Sequence, residues 1–124
     1  MWDKVGIIRE AGPMKAALSA LDGIEAELDA YTLSDHQRGF NLSWHDWMNL
    51  KSLVDASRVI TRAALAREDS RGAHFRADFP EAGPLETSAY TSVTMDGAGK
   101  LGIAMKPVAF TRVKPGQTLL RDAA

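Results

Sequence analysis

The sequence has no cysteine. Disulfides, thiolate zinc sites and cysteine-ligated iron–sulfur clusters are therefore excluded within it. It has no excess of either charge: 15 Lys and Arg face 16 Asp and Glu, for a formal net charge of −1. That balance offers no footprint for nucleic acid or an anionic membrane. No uninterrupted apolar run approaches the roughly 20 residues a membrane helix needs. The opening MWDKVGIIRE carries charges where a signal peptide would carry its apolar core. Direct membrane insertion is not expected, and any peripheral attachment at an inner membrane would come through partners. A cysteine-free chain fits a cytoplasmic setting. There is no internal repeat, no low-complexity segment, and no GxGxxG leading from a strand into a helix. The nearest match, Gly97-Ala98-Gly99, lies in a turn that leads into a strand.

What is present suits a single domain over 1–124. The chain is 45% apolar and long enough for one core. Met1 to Glu10 reads as a short helix with Trp2 and Val5 on one face. Gly12-Pro13 interrupts it, and Pro13 suits the first position of a second helix, where its missing N–H costs nothing. From Pro13 to about Thr32, Met14, Leu18, Leu21, Ile24 or Glu25, Leu28 and Tyr31 form one stripe. Ser34 to Gly39 is polar and reads as a loop. Ser43, with Asp46 three residues on, predicts the cap of a third helix running to about Glu68. Along it Leu50, Leu53, Ser57, Ile60 and Ala64 repeat at three and four, a coiled-coil-like seam. The expected fold is mainly α: a three-helix up-down, spectrin-repeat-like bundle over about 1–70.

Beyond Gly72 the pattern changes. Pro80, Gly83 and Pro84 mark irregular chain, so 70–84 is a loop. Ser88 to Met95 is rich in Thr, Val and Tyr, Asp96 to Gly99 supplies a turn, and Leu101, Ile103 and Met105 alternate with small residues. A small β-hairpin is predicted over about 88–108, with Pro107 at a strand end or an edge. The remaining tail, 109–124, contains Pro115-Gly116 and is expected to wrap the surface.

One stretch concentrates polar chemistry. Arg67 to Pro80 holds three arginines, one histidine and three carboxylates, placed where the longest helix ends. Two readings apply. Arginines near a helix C-terminus favour its free carbonyls, with Gly72 as the residue just past the end, and the rest would be surface pairs. Alternatively the stretch is a fixed polar loop that docks on another domain, for which arginine's fork is suited. Ser70, His74 and Asp78 invite a catalytic triad, but closeness in sequence is not triad geometry, and no nucleophile elbow is present. His36 and His45 lack the i, i+4 spacing of a helical zinc site. Phe40, Trp44 and Trp47 could line a pocket, though such aromatics near a helix start more often anchor a core or an interface.

The residues Ser70-Arg71-Gly72-Ala73-His74-Phe75-Arg76-Ala77-Asp78-Phe79-Pro80 closely resemble the SRGAHxRxDFP signature. That signature marks the C-terminal helical domain of the succinate dehydrogenase, fumarate reductase and L-aspartate oxidase flavoproteins. Met1-Trp2, Val5-Gly6-Ile7 and Arg9 resemble the family's "MWxxVGIxR" opening. Asn49-Leu50, with Ala63 to Arg67, resembles its alanine-rich helix, and Lys106-Pro107-Val108 its "KPV". The likeness covers most of 1–110. Two departures stand out: Asp69 occupies the place of the family's usual Glu, and Pro80-Glu81 runs into Ala82-Gly83-Pro84 where the family continues "PERDD".

The resemblance implies that FAD and the catalytic residues belong to flavin and capping domains elsewhere in a parent protein. Neither catalytic, cofactor-binding nor metal residues are expected in this chain, which alone would be inactive. Its role would be to support those domains and offer surface to a partner, an iron–sulfur subunit in complex-forming members. Arg71, His74, Arg76 and Asp78 are the expected interdomain contacts. The parent could be of succinate dehydrogenase/fumarate reductase type or of L-aspartate oxidase type. The rival from another class is a free-standing helical interaction module, with the reading frame upstream of Met1 as discriminator. The severed-domain reading would fail if the guanidinium and imidazole groups of the polar loop were fully satisfied within the chain and no bare apolar face lay nearby.

Overall fold

In the computed structural model, α1 (Trp2–Val5) is a single turn. Residues 1–118 are described; 119–124, the end of the expected tail, lie outside the described residues. Gly6 stops α1 because a Cβ there would lie 2.5 Å from the Trp2 carbonyl oxygen, so only glycine permits the close approach. The chain then extends into a two-residue strand, β1 (Ile8–Arg9). The helix expected over Met1 to Glu10 is thus corrected. Its second half pairs with chain some 65 residues away, which local periodicity cannot report.

The second helix, α2 (Ala11–Ala30), starts earlier than expected, and Pro13 is its third residue, not its first. Proline is tolerated there for the same reason: the first four N–H groups have no partner within the helix. The third, α3 (Leu42–Ala66), is capped by Asn41, whose Oδ1 accepts from the Trp44 N–H at 2.8 Å. Ser43 falls inside the helix. Asn41 also donates from Nδ2 to the Asp35 and Gln37 carbonyls, folding the 31–41 loop onto its own cap.

The two long helices run antiparallel. Near the start of α2 and the end of α3, Met14, Ala17 and Ala64 pack with Val5 and Leu65. Midway, Arg58 bonds Glu25 at 2.7 Å and Asp22 at 3.1 Å. At the far end the Trp47 indole N–H donates to the Leu28 carbonyl at 2.9 Å, and Lys51 pairs with Asp29. Of the α2 stripe, Met14 and Leu21 are buried and Leu18 and Leu28 half-buried, whereas Ile24 and Tyr31 are exposed.

The α3 seam is displaced from the one expected. The buried residues are Val54, Thr61 and Ala64. Leu53 and Ile60 are 61% and 52% exposed, and Leu50 is exposed too. Periodicity shows which faces can be buried, not which neighbour covers them. A threonine reaches the buried position because its hydroxyl donates to the Ser57 carbonyl one turn back, at 2.7 Å.

After α3 come a short strand, β2 (Phe75–Arg76), and the hairpin of β3 (Ala89–Met95) and β4 (Leu101–Pro107). β2 lies parallel to β1, with Ile8 opposite Phe75 and Arg9 opposite Arg76. β3 and β4 are antiparallel, Ala89 opposite Pro107 through Met95 opposite Leu101, as the alternating pattern predicts. Pro107 ends its strand. Gly99 has φ +78°, and the Asp96 carboxylate accepts from the Ala98 and Lys100 N–H groups, which closes the turn. The described residues thus form three α-helices, two of them long, a 3-10 turn at Leu85–Thr87, and two small strand pairs, one of which is the antiparallel hairpin.

Replacing Asn41 with Ala should cost about 1 kcal/mol of stability, the usual worth of a helix cap. Ser43→Ala should stay within about 0.5 kcal/mol, as surface changes do. Urea denaturation of the two variants checks the assignment.

Candidate functional site

The last carbonyls of α3 have no partner within the helix. Arg76 supplies one. Its Nη1 donates to the carbonyls of Ala64 and Leu65, both at 3.0 Å, and of Arg67 at 2.9 Å. A cation is favoured at this end of the helix dipole. The side chain is only 1% exposed, yet all three of its nitrogens are engaged. Nε and Nη2 form a fork onto the two Asp78 oxygens, each at 2.7 Å, the strong bidentate arrangement. The Phe79 ring covers the guanidinium at 4.9 Å.

Asp78 then reaches the other helix. Its Oδ2 accepts from the N–H of Ala11, the first residue of α2, at 3.1 Å. One ion pair therefore closes the C-terminus of α3 and the N-terminus of α2, with each charge at the helix end that favours it. The Arg76 pair, and after it the Ala11 N–H, hold the Asp78 carboxyl well below the usual carboxylate range.

Around this pair the loop ties in the remaining elements. The buried Ser70 hydroxyl donates to the Phe79 carbonyl at 2.7 Å and accepts from the Arg76 N–H at 2.8 Å. Gly72, at φ +58°, turns the chain so that Arg71 and His74 exchange backbone hydrogen bonds. The left-handed glycine anticipated near the helix end thus serves this turn, while α3 itself ends on Arg67. The Arg9 guanidinium donates to His74 Nδ1 at 2.9 Å, and His74 Nε2 lies 3.4 Å from the Arg67 carbonyl. Both contacts fit a neutral ring with its proton on Nε2. Burial, assisted by the Arg9 and Arg67 charges, lowers the His74 pKa and keeps that ring neutral.

The hairpin is held by arginine as well. Arg71 donates to the Ser88 hydroxyl and the Gly83 carbonyl, both at 2.6 Å, and Arg67 to the Ala89 carbonyl at 3.0 Å. Asp69 pairs with Arg67, but its Oδ2 stops 4.0 Å from Arg71 Nε, a buried nitrogen without a hydrogen-bond partner. This gap lies where the sequence departs from the signature: the glutamate usual there is one methylene longer.

All four residues singled out by sequence, Arg71, His74, Arg76 and Asp78, thus come together in one network, and their observed partners lie within the chain. Sequence reading missed Arg9, Ser70 and Arg67 as partners. Arg9 had a signal only in the "VGIxR" resemblance. The three members of the supposed triad serve separate partners, so no nucleophile is activated there. His36 and His45 line a cleft of about 730 Å³ at the opposite end of the helical pair, together with Phe40 and Trp44. Trp47 instead anchors α3 to α2. Among the described residues no three His, Cys, Asp or Glu side chains cluster as a metal site would need. No described helix is long and apolar enough to cross a membrane.

Comparison with known proteins places this architecture. Residues 1–119 match the family model described as fumarate reductase flavoprotein C-term. The 8-methylmenaquinol:fumarate reductase flavoprotein subunit of Wolinella succinogenes is 30% identical over 113 residues, which are 91% of this chain and 18% of that protein. An L-aspartate oxidase of Rhodospirillum rubrum is 34% identical over 92 residues, 74% of this chain and 27% of its own. Among solved structures, a mutant FrdA of E. coli quinol fumarate reductase superposes with a TM-score of 0.82 over 94% of this chain and 20% of that one, at 21% identity. Mycobacterium smegmatis Sdh1 does so at 0.70 and 28% identity, over 87% of this chain and 18% of that one. The chain spans between about a seventh and a quarter of the length of the curated relatives it matches.

Two outcomes follow from this network. Arg76→Met leaves the Ala64 and Leu65 carbonyls without their arginine donor, the Arg67 carbonyl with only its longer His74 contact and Asp78 with only backbone donors, and charged hydrogen bonds of this kind imply a loss of about 2–3 kcal/mol. Denaturant titration of the variant chain measures it. For His74 the folded pKa lies below the unfolded value of about 6.5, so protons bind the unfolded state more readily. Its contribution is complete above about pH 6.5 and declines as pH falls toward the folded pKa. Stability should therefore drop between pH 7.5 and 5, and His74→Gln should reduce that drop in paired urea titrations.

Proposed function

The chain belongs to the fumarate reductase flavoprotein C-terminal family, and from that premise we propose that it is the non-catalytic brace of an FAD-dependent oxidoreductase acting on a dicarboxylate. The carrying observation is where the polar groups go. The arginines, histidine and aspartate of the signature loop bind the chain's own helix ends and hairpin. In this reading FAD and the reacting residues belong to the flavin and capping domains of a longer polypeptide. The reaction is hydride transfer between flavin and a succinate/fumarate-like or aspartate-like substrate. The L-aspartate oxidase alternative keeps its place because those relatives match at 33–34% identity, as high as the fumarate reductases at 30–33%.

The exposed apolar surface supports a bracing role. Leu50, Leu53 and Ile60 run along α3 uncovered, and Trp2, Ile7 and Ile8 stand bare beside the polar loop. The interdomain contacts expected of Arg71, His74, Arg76 and Asp78 become indirect here. Arg76 is enclosed and acts by holding the two helices in register, while the rims of Arg71 and His74 are the parts that another domain can touch. An iron–sulfur subunit is the proposed further partner, in a cytoplasmic protein held at the membrane only through such partners.

The test is reconstitution. Free FAD titrated into the isolated chain should give no tight complex. Adding the chain to separately produced flavin and capping domains should restore oxidoreductase activity toward a dicarboxylate. Stoichiometric FAD binding by the chain alone, or full activity of the other domains without it, would count against the proposal.

A further inference from the structure

The hairpin leaves one strand edge open. β3 and β4 pair only with each other, and among the described residues no third strand lies beyond either. Two hydrogen bonds just outside the ladder fix its phase. The Val108 N–H donates to the Ser88 carbonyl at 2.8 Å, and the Asp96 N–H to the Lys100 carbonyl at 3.1 Å. Antiparallel pairs alternate between those that exchange such bonds and those that do not. In the observed register Leu101, Ile103 and Met105 are of the second kind, so their N–H groups and carbonyls point away from β3. On the β3 side the outward carbonyl of Ala89 is taken by Arg67, and Ala89, Thr91 and Val93 are half-buried. On β4 every residue after Leu101 is exposed. The free edge is therefore that of β4.

An edge of this kind is a template for another strand. Its charge selects the occupant. Residues 88–118 hold four basic side chains, Lys100, Lys106, Arg112 and Lys114, against one acid, Asp96. Residues 1–87 hold ten basic and fourteen acidic ones, so the hairpin is a basic patch on an otherwise acidic chain. The Asp96 carboxylate is turned to the Ala98 and Lys100 N–H groups. Lys100 and Lys106 bracket the open stretch, six residues apart and so on one face. Neither has an ion-pair partner among the described residues. Lysines on an edge keep copies of a protein from pairing. Here a second β4 laid antiparallel, with Ile103 opposite its own copy, would set Lys106 opposite Lys100, and like charges so placed repel. The same two lysines attract carboxylates from a different strand. We propose that the outer edge of β4, from Lys100 to Lys106, docks an extended segment of a partner polypeptide that carries acidic residues six apart with apolar residues between them. The inference goes beyond the flavoprotein reading and does not depend on it.

The register dictates the partner's pattern. Its residues opposite Leu101, Ile103 and Met105 share a face with them. Ile103 and Met105 are 36% and 45% exposed, so apolar side chains at those places cover surface that is now in water. Gly102 and Ala104 lie on the other face and present little side chain, which leaves the residues opposite them unconstrained. The order along the partner is thus acid, apolar, any, apolar, any, apolar, acid. The outward N–H groups and carbonyls of β4 supply affinity, and the alternating side chains supply selectivity, as in other cases of strand addition. A third strand also strengthens a two-stranded hairpin, which is marginal by itself.

The experiment titrates the chain with the end-capped peptide Glu-Val-Thr-Val-Thr-Val-Glu and follows binding by calorimetry and by amide NMR signals. The amides of Leu101, Ile103 and Met105 should shift and gain protection from hydrogen exchange. Replacing both glutamates of the peptide by lysine should weaken binding by about tenfold or more. Ile103→Pro removes an outward N–H and leaves the bonds to β3 in place. It should abolish binding while urea denaturation shows the chain still folded. Lys100→Glu combined with Lys106→Glu should reverse the preference, so that the lysine peptide binds better than the glutamate peptide. That reversal cannot arise from misfolding, and it decides the matter even if the proline variant unfolds. The proposal is overturned if the glutamate peptide fails to bind, if the lysine peptide binds the unaltered chain equally well, or if a folded Ile103→Pro chain still binds. It is also overturned if the chain alone sediments as a dimer that Ile103→Pro dissociates, since the edge would then belong to a second copy.

Discussion

The Arg76–Asp78 pair is the contact on which the rest of the structure depends. An α-helix leaves its first N–H groups and its last carbonyls without partners, and each end carries a partial charge. In this chain the relevant ends, the start of α2 and the finish of α3, lie at the same end of an antiparallel pair. One arginine and one aspartate two residues apart meet both demands. Because the cation faces carbonyls and the anion faces an N–H, the charges that stabilise each other also stabilise the two helices. Arginine is needed here, since lysine has neither the fork for Asp78 nor enough donors in the right plane for the carbonyls.

The size of the apolar core makes such polar ties more consequential than usual. The buried hydrophobic cluster consists of Val5, Met14, Ala17 and Ala64, with Leu21 and Val54 buried apart from it, and two of these six are alanines. Alanines bring the helices close but remove little apolar area from water. Burying an arginine is costly, and a buried ion pair often contributes no more stability than apolar residues of the same volume. What Arg76 adds is geometry: it fixes the axial position of α3 against α2 and sets the loop between β2 and the hairpin. Ser70, His74 and Arg71 repeat this on a smaller scale, each binding a backbone carbonyl or a side chain from another segment.

Much of the architecture could be read from local pattern. Both long helices and the hairpin have periodicities that survive folding, and the turn at Asp96 to Gly99 has the residues its backbone requires. Two of the misreadings share one cause. The strand at Ile8–Arg9 and the displaced α3 seam depend on neighbours distant in the chain, which spacing cannot report. The Asn41 cap was missed for a smaller reason: Ser43 is an equally good capping residue, and only the fold of the 31–41 loop selects between them. At the site, the signature residues were recognisable as a group. Their inward orientation was not, because an arginine after a helix can close that helix or reach another protein with the same sequence.

That inward orientation accounts for a further fact. Proteins named for fumarate reduction and for aspartate oxidation match this chain over overlapping stretches at similar identity. Were the loop's histidine and arginines binding substrate, two such different substrates would require different side chains there, since a site built to pair one polar group discriminates strongly against its absence. Groups that satisfy backbone carbonyls and helix ends carry no such requirement, because every protein with these two helices presents the same unpaired atoms. In this chain the charged loop is tied to the fold that it closes.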